Sequence, residues 1–193
     1  MITGANSGLG FETARVLLLK GMRVICACRS EAKGTAAVTE LLAKTAERPD
    51  AADTDCMFMH LDVSSLASVR TFAKAYGESG LKLHVLLCNA GIMMGPRRES
   101  ADGVELQLAT NYLGHFLLCE LMRETLVACA PARVIHVASM AARFGKINLD
   151  DMESTTEPYK SIETYQMTKL MQVVFSRELA SRFEGTGAPV LCQ

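Results

Sequence analysis

Short apolar runs alternate along the chain with longer amphipathic segments. Four runs of β-branched and other apolar residues predict strands that are buried on both faces. They cover residues 23–28, 57–61, 84–88 and 133–138. Elsewhere apolar residues recur every three or four positions, which predicts amphipathic helices. These helices cover residues 12–20, 31–47, 66–76, 104–129 and 162–183, and Asp102 with Glu105 has the spacing of a capping box before the fourth.

This alternation of strand and helix predicts an α/β fold. Right-handed βαβ units build a doubly wound, mainly parallel, Rossmann-like sheet with helices on both faces. A length of 193 residues suits a single domain, so we expect one domain over residues 1–193. Ligands bind such sheets at the carboxyl ends of the strands, where the irregular segments 91–101 and 140–160 lie.

Charge and composition narrow the range of partners. The 20 basic and 21 acidic residues nearly cancel and form no polybasic run, so no nucleic-acid partner is expected. No apolar run reaches the ~18 residues of a membrane span, and the chain does not start with a signal peptide. The seven cysteines are an odd number and lie mostly in apolar runs. They predict buried free thiols in a reducing intracellular compartment.

No metal site is predicted. Cys26 and Cys28 are spaced for packing within a strand, and the histidines share no metal-ligand spacing. The histidines are His60, His84, His115 and His136.

A glycine-rich segment leads directly into the first helix. Glycines at positions 4, 8 and 10 allow a sharp turn and a close approach to a pyrophosphate, whose charge the helix amino terminus favours. The segment lacks the Gly-Lys-Ser/Thr sequence of a P-loop. The predicted cofactor contacts in it are Thr3, Gly4, Asn6, Ser7, Gly8, Leu9 and Gly10. A tight strand-to-helix turn without a ligand is the alternative.

Arg29 follows the strand over residues 23–28. An NAD-specific site carries Asp or Glu at such a strand end, whereas arginine suits a 2′-phosphate. Arg29 therefore favours NADP(H) over NAD(H). The alternative is a solvated charge at a strand end.

Further polar residues follow the next two strands and lie on the last helix. Asn89-Ala90-Gly91 follows residues 84–88, and Ser139 follows residues 133–138. Tyr165 and Lys169 are four positions apart and so share one face of a helix. A close ammonium group makes a phenol a stronger acid. Taken alone, such a pair is more typical of an ordinary amphipathic surface.

The order of these motifs resembles that of the short-chain dehydrogenase/reductase family. The segment Asn111-Tyr112-Leu113-Gly114-His115-Phe116-Leu117-Leu118 is similar to its retinol-dehydrogenase-like branch. The resemblance implies a catalytic tetrad, with Tyr165 exchanging a proton with the substrate and Ser139 binding its oxygen. It implies that Lys169 binds the nicotinamide ribose and that Asn111 holds a water. Asp62 and Val63 would contact the adenine, and Asn89, Ala90 and Gly91 would line the cofactor near its ribose.

The implied activity is NADP(H)-dependent hydride transfer to or from a small apolar alcohol or carbonyl compound of the retinoid, steroid or polyprenoid type. Met93 and Met94 are expected either to contact this substrate or to fill the core. The two long helices, 104–129 and 162–183, are those that the family pairs in homodimers, although burial within one chain also explains their pattern. The implied location is the cytoplasm, or the surface of the endoplasmic reticulum where a longer parent carries an anchor.

Both ends of the sequence differ from the family pattern. Only Met1 and Ile2 precede Thr3, where the family has a complete central strand. Residues 189–193 predict the beginning of one more strand. We therefore expect a partial domain. The alternative function is that of a catalytically impaired fragment or pseudo-enzyme that serves as a binding or interaction protein.

Overall fold

Six strands and seven α-helices alternate along this computed structural model, which describes residues 1–47, 55–156 and 158–192. The strands are β1 (Ile2–Thr3), β2 (Val24–Cys28), β3 (Cys56–His60), β4 (Val85–Cys88), β5 (Arg133–His136) and β6 (Val190–Cys192). The helices are α1 (Gly8–Leu19), α2 (Glu31–Thr45), α3 (Leu66–Glu78), α4 (Leu106–Leu108), α5 (Gly114–Leu121), α6 (Arg123–Ala128) and α7 (Ser161–Arg182). A π-helical turn (Ala109–Leu113) joins α4 to α5, and a 3₁₀ turn (Met140–Phe144) follows β5.

The sheet has the strand order β3-β2-β1-β4-β5-β6. The pairs β1–β2, β1–β4, β2–β3 and β5–β6 are parallel. The order reverses direction at β1, which is the hallmark of a doubly wound sheet and marks where such folds bind ligands. The predicted doubly wound, mainly parallel α/β fold is confirmed, and the strand expected after residue 189 is present as β6 (Val190–Cys192).

The chain divides into two compact units. The first comprises Met1–Asp62 and Leu87–Ala90. Its core contains all five residues of β2, together with Ala14 and Leu18 of α1 and Leu41 of α2. Burial of alternate residues on both faces explains why β2 is apolar throughout, and Cys26 and Cys28 pack within it as predicted.

The second unit comprises Val63–Leu86 and Gly91–Gln193. Helix α3 buries Val69 and Phe72, as its predicted apolar face requires. Elsewhere in this unit Leu108, Met167 and Met171 form a buried cluster. A single domain over residues 1–193 remains a prediction.

Two strands differ from the sequence-based expectations. Strand β3 is not buried on both faces: Cys56 is buried, but His60 is exposed, because β3 lies at the edge of the sheet. Strand β5 ends at His136 and not at residue 138. Its described pairing with β6 also ends there, at His136 and Cys192, and the carbonyl of the next residue, Val137, accepts a hydrogen bond from Lys169 Nζ at 2.9 Å.

The predicted single helix over residues 104–129 is wrong, because this segment divides into α4, the π-helical turn, α5 and α6. The predicted capping box is also wrong. Asp102 accepts a hydrogen bond from the amide of Leu66 at the start of α3, 2.9 Å away. Glu105 is itself the N-cap of α4 and accepts from the amide of Leu108 at 2.7 Å. The two carboxylates therefore serve different helices.

The prediction that most cysteines are buried free thiols is confirmed for the side chains that the structure describes. Cys26, Cys28, Cys56, Cys88 and Cys119 are buried free thiols, and Cys129 is half-buried and free. Within the described ranges, no helix combines the length and apolar character that crossing a bilayer requires.

Candidate active site

The glycine-rich turn is held by the side chain of Thr3. Its Oγ1 accepts hydrogen bonds from the amides of Asn89 and Ala90, each at 2.9 Å. The Nδ2 of Asn89 donates to the Thr3 carbonyl at 2.9 Å. The turn and the residues after β4, predicted separately as cofactor contacts, therefore form one hydrogen-bonded cluster in the first unit.

Two positions in the turn require glycine, one for its backbone conformation and one for lack of space. Gly4 has φ +67°, in the left-handed region. A Cβ at Gly10 would lie 2.6 Å from both the Gly4 carbonyl oxygen and Asn89 Nδ2. The start of α1 thus packs directly against the turn, which requires Gly10.

The amino terminus of α1 is free to receive an anion. Its N-cap, Ser7, makes no side-chain capping hydrogen bond, and the first turn holds no acidic residue. Gly8 has φ +56°, and in the part of the chain that the structure describes no atom lies within 4 Å of a Cβ added there. Leu9 is 73% exposed, while Asn6 is half-buried. Uncapped amides beside open space suit a pyrophosphate.

Three further predicted cofactor contacts lie just after β2 and β3. Arg29 is exposed directly after β2 and pairs with no carboxylate among the described residues. Asp62 is half-buried in the first unit. Val63 is buried in the second, and a Cβ at Gly114 would collide with its carbonyl oxygen. Helix α5 therefore packs closely against the backbone of Val63.

Tyr165 and Lys169 lie together on α7, as predicted. Lys169 Nζ is 5.7 Å from the centroid of the Tyr165 ring. Lys169 is only 4% exposed, and its bond to the Val137 carbonyl offsets part of the cost of burying an ammonium group. Tyr165 is half-buried. The hydrogen bond to Val137, the residue after β5, thus holds the ammonium group of Lys169 beside the ring of Tyr165.

Ser139 follows β5 and is the N-cap of the 3₁₀ turn. Its Oγ accepts a hydrogen bond from the amide of Ala141 at 3.1 Å. A hydroxyl that accepts through its oxygen still has its proton to donate. Ser139 is therefore both the N-cap of the 3₁₀ turn and a competent donor to a carbonyl oxygen.

Asn111 is fully buried in the π-helical turn. Its Oδ1 accepts from the amide of Ile92 at 2.8 Å, and its Nδ2 donates to the carbonyl of Ile92 at 2.9 Å and to Thr168 Oγ1 at 3.1 Å. Its side chain thus fixes the backbone just beyond Gly91, which is itself exposed.

A second buried network was missed by the sequence analysis. Glu105 is 1% exposed and accepts from the hydroxyl of Tyr159 at 2.9 Å. That hydroxyl accepts from Gln107 Nε2 at 2.8 Å, and Gln107 Oε1 accepts from the amide of Met94 at 3.1 Å. The network joins segment 91–101 to the start of α7. Polar residues on the apolar face of a predicted helix were its only sequence signal.

The second unit contains a cavity of about 660 Å³ beside the start of α7. Its wall includes Phe144 from the 3₁₀ turn and Gln166 and Met167 from α7. Lys146 and Asp151 add charged groups. Gln166 directly follows Tyr165, so the cavity adjoins the candidate catalytic helix without including either Tyr165 or Ser139 in its described wall.

The fold and these residues define the class as doubly wound α/β proteins with a glycine-rich turn and a tyrosine–lysine pair. A sequence model described as short chain dehydrogenase matches residues 1–150. Human retinol dehydrogenase 12 is 44% identical over 187 residues, covering 97% of this chain and 57% of its own length. Mouse retinol dehydrogenase 14 is 40% identical over 194 residues, covering 98% and 58% respectively.

Solved structures show the same similarity. An uncharacterized protein from Mycobacterium paratuberculosis has a TM-score of 0.79 and 39% identity, covering 98% of this chain and 63% of its own. RhlG from Pseudomonas aeruginosa, in an active-site complex with NADP, has a TM-score of 0.76 and 28% identity, covering 99% and 69%. The chain belongs to the short-chain dehydrogenase family, in its retinol-dehydrogenase-like branch, and spans about 57% of the curated relatives it matches.

Proposed function

We propose that the chain carries the cofactor site and catalytic tetrad of an NADP(H)-dependent oxidoreductase that interconverts an apolar alcohol and its carbonyl compound. The observation that carries this proposal is the buried ammonium of Lys169, held 5.7 Å from the ring centroid of Tyr165. Surface tyrosine–lysine pairs do not require such burial. Relatives named retinol dehydrogenases support the same reaction class.

In the proposed reaction, Tyr165 moves a proton and Ser139 binds the substrate oxygen. During carbonyl reduction the phenol of Tyr165 donates its proton to that oxygen as negative charge develops there. The hydroxyl of Ser139 donates a hydrogen bond to the same oxygen. Lys169 stabilises the phenolate that remains, because its positive charge lies beside the ring. Alcohol oxidation reverses each step.

The residues present fit a nicotinamide dinucleotide. The uncapped start of α1 and the open space at Gly8 suit its pyrophosphate, as described above. Asp62 and Val63 would contact the adenine, Asn89, Ala90 and Gly91 would lie near the ribose, and Lys169 would bind the nicotinamide ribose. When bound, the cofactor supplies or accepts the hydride. Arg29, exposed and without a carboxylate partner among the described residues, favours the 2′-phosphate of NADP(H) over NAD(H).

Exposed apolar side chains support an apolar substrate. Met140, next to Ser139, is 75% exposed, and Phe144 is 70% exposed. Met93 and Met94 are 57% and 53% exposed, so they do not fill the core. Single exposed apolar residues are ordinary, but these follow strands at the ligand-binding edge of the sheet. We therefore propose a substrate of the retinoid, steroid or polyprenoid type.

Three further parts of the proposal concern the whole protein. We propose one NADP-binding domain, placed in a reducing intracellular compartment because the described cysteines are free thiols. We also propose a homodimer in which α5 and α7 pair. Phe116 on α5 and Val174 on α7 are 37% and 51% exposed, and they would supply apolar contacts.

A turnover assay tests the proposed function. The purified chain is incubated with NADPH and all-trans-retinal, and oxidation of the cofactor and formation of retinol are both followed. We expect NADPH oxidation and retinol formation to proceed at equal rates, and we expect slower turnover with NADH than with NADPH. NADPH binding without turnover of retinal, a steroid ketone or a polyprenal would contradict an oxidoreductase role and favour the non-catalytic alternative.

A further inference from the structure

Gln172 is a buried amide on α7 that the proposed reaction does not use. It lies three residues after Lys169 and is 1% exposed. Its Nε2 donates to the main-chain carbonyl of Asn111 at 2.8 Å. Its Oε1 has no hydrogen-bond partner among the described residues. Burying a carboxamide is costly, so the single bond to Asn111 is its main compensation.

The carbonyl that Gln172 contacts belongs to the π-helical turn. There the amide of Gly114 donates to Ala109, five residues back, which widens the helix. His115 Nδ1 also lies 3.4 Å from the Asn111 carbonyl. This widened turn aims the Asn111 side chain at both backbone groups of Ile92. Its shape therefore sets the position of the chain just beyond Gly91.

Helix α7 holds Asn111 at two points. Thr168 accepts from the Asn111 side chain, and Gln172 donates to its carbonyl. Lys169 lies between these two residues in the sequence and is fixed in turn by the Val137 carbonyl. A substitution at Gln172 would thus alter the position of Asn111 and leave the hydrogen bond of Lys169 to Val137 in place.

We infer that Gln172 is a positioning residue of the candidate active site: by holding the Asn111 carbonyl it fixes the π-helical turn, and with it the Asn111 contacts to Ile92. It acts through Asn111 and touches no reacting atom. The inference rests on the proposed function, because the placement of Asn111 would increase the rate of the proposed reaction.

The test compares three variants. Gln172→Leu removes the donor, and Gln172→Glu keeps the shape but presents a carboxylate, which donates only when protonated. Met171→Leu is the control, since this neighbour is also buried, at 5% exposure, and the swap conserves volume. We expect Gln172→Leu to lower kcat about tenfold, the effect of losing roughly one net hydrogen bond, with KM and NADPH affinity unchanged.

Two further readouts separate positioning from simple stability. In Gln172→Leu the solvent deuterium isotope effect on kcat rises, because proton delivery becomes slower relative to hydride transfer. In Gln172→Glu the ratio of its kcat to that of the wild type rises as the pH falls, because the protonated acid regains a donor. Met171→Leu shows neither change. An unchanged kcat, or a lower melting temperature with unchanged kcat per folded molecule, would overturn the inference.

Hydrogen exchange tests the inference independently of the proposed function, because it does not require turnover. The amides of residues 109–116 should exchange faster in Gln172→Leu than in Met171→Leu, whether or not the chain turns over. Equal exchange rates would overturn the inference. An inactive wild type that shows the expected exchange difference would contradict the proposed function alone. Gln172→Asn, with a shorter carboxamide, replaces the leucine variant if that variant does not fold.

Discussion

Gly114→Ala is predicted to destabilise the protein, although the same change usually strengthens a helix. Gly114 begins α5, and an added Cβ would overlap the carbonyl oxygen of Val63. Helix propensity alone would favour alanine by up to about 1 kcal/mol. Overpacking costs about 1–3 kcal/mol, and the upper end applies because the obstacle is backbone and cannot rotate away. The net loss is therefore about 2 kcal/mol, or a fall in Tm of roughly 4–8 °C for a chain of this size.

Gly77→Ala is the matched control. Gly77 lies in α3, in the same compact unit, and a Cβ there meets no atom of the described residues within 4 Å. Its melting temperature should rise by up to about 4 °C, since only the propensity gain of up to about 1 kcal/mol remains. Calorimetry on both variants measures the pair. Equal shifts of the same sign, or a Gly114→Ala protein as stable as the wild type, would refute the close packing of α5 against Val63.

Two other predictions concern charge. Arg29→Ala should raise the Kd for NADPH about tenfold by fluorescence titration and leave the Kd for NADH unchanged, because only NADPH carries the 2′-phosphate; equal effects on both would contradict the assignment. Burial, aided by the nearby His136 and Lys169, lowers the pKa of His115 to about 3. Because the unfolded histidine titrates near ~6.5, the unfolded state binds the extra proton and stability falls with pH below that value, by roughly 2 kcal/mol between pH 7 and pH 5. In urea unfolding, the free energy of unfolding of His115→Gln should fall correspondingly less between pH 7 and pH 5 than that of the wild type. An equal fall in both proteins would contradict a neutral buried His115.

The regular elements were predictable because their signals are local. The apolar run over residues 23–28 and the 3.6-residue periodicity of α7 depend only on neighbours in the chain. The edge position of β3 was not predictable in this way, since exposure of His60 depends on which strands lie beside it. The hydrogen bond that the carbonyl of Val137, just after β5, accepts likewise comes from Lys169, 32 residues further along the chain.

The candidate site was likewise predictable only in part from the sequence. Asn111, Ser139, Tyr165 and Lys169 were named from the order of motifs. The distant partners of Asn111 and Lys169 were not, because they lie far away in sequence: Gln172 is 61 residues from Asn111, and Val137 is 32 residues from Lys169. A capping-box spacing at Asp102 was misleading, since that carboxylate accepts from the amide of Leu66 at the start of α3, 36 residues away.

The most direct test of the central claim is the turnover of Tyr165→Phe with NADPH and all-trans-retinal. Tyr76→Phe is the control, since Tyr76 is a fully buried tyrosine of α3 whose hydroxyl, among the described residues, bonds only to the Lys82 carbonyl, at 3.2 Å. Loss of the proton donor should lower kcat by about 10²-fold or more while the Kd for NADPH stays within about threefold. Tyr76→Phe should keep the wild-type kcat per folded molecule. A Tyr165→Phe protein that reduces retinal at the wild-type rate would contradict the account.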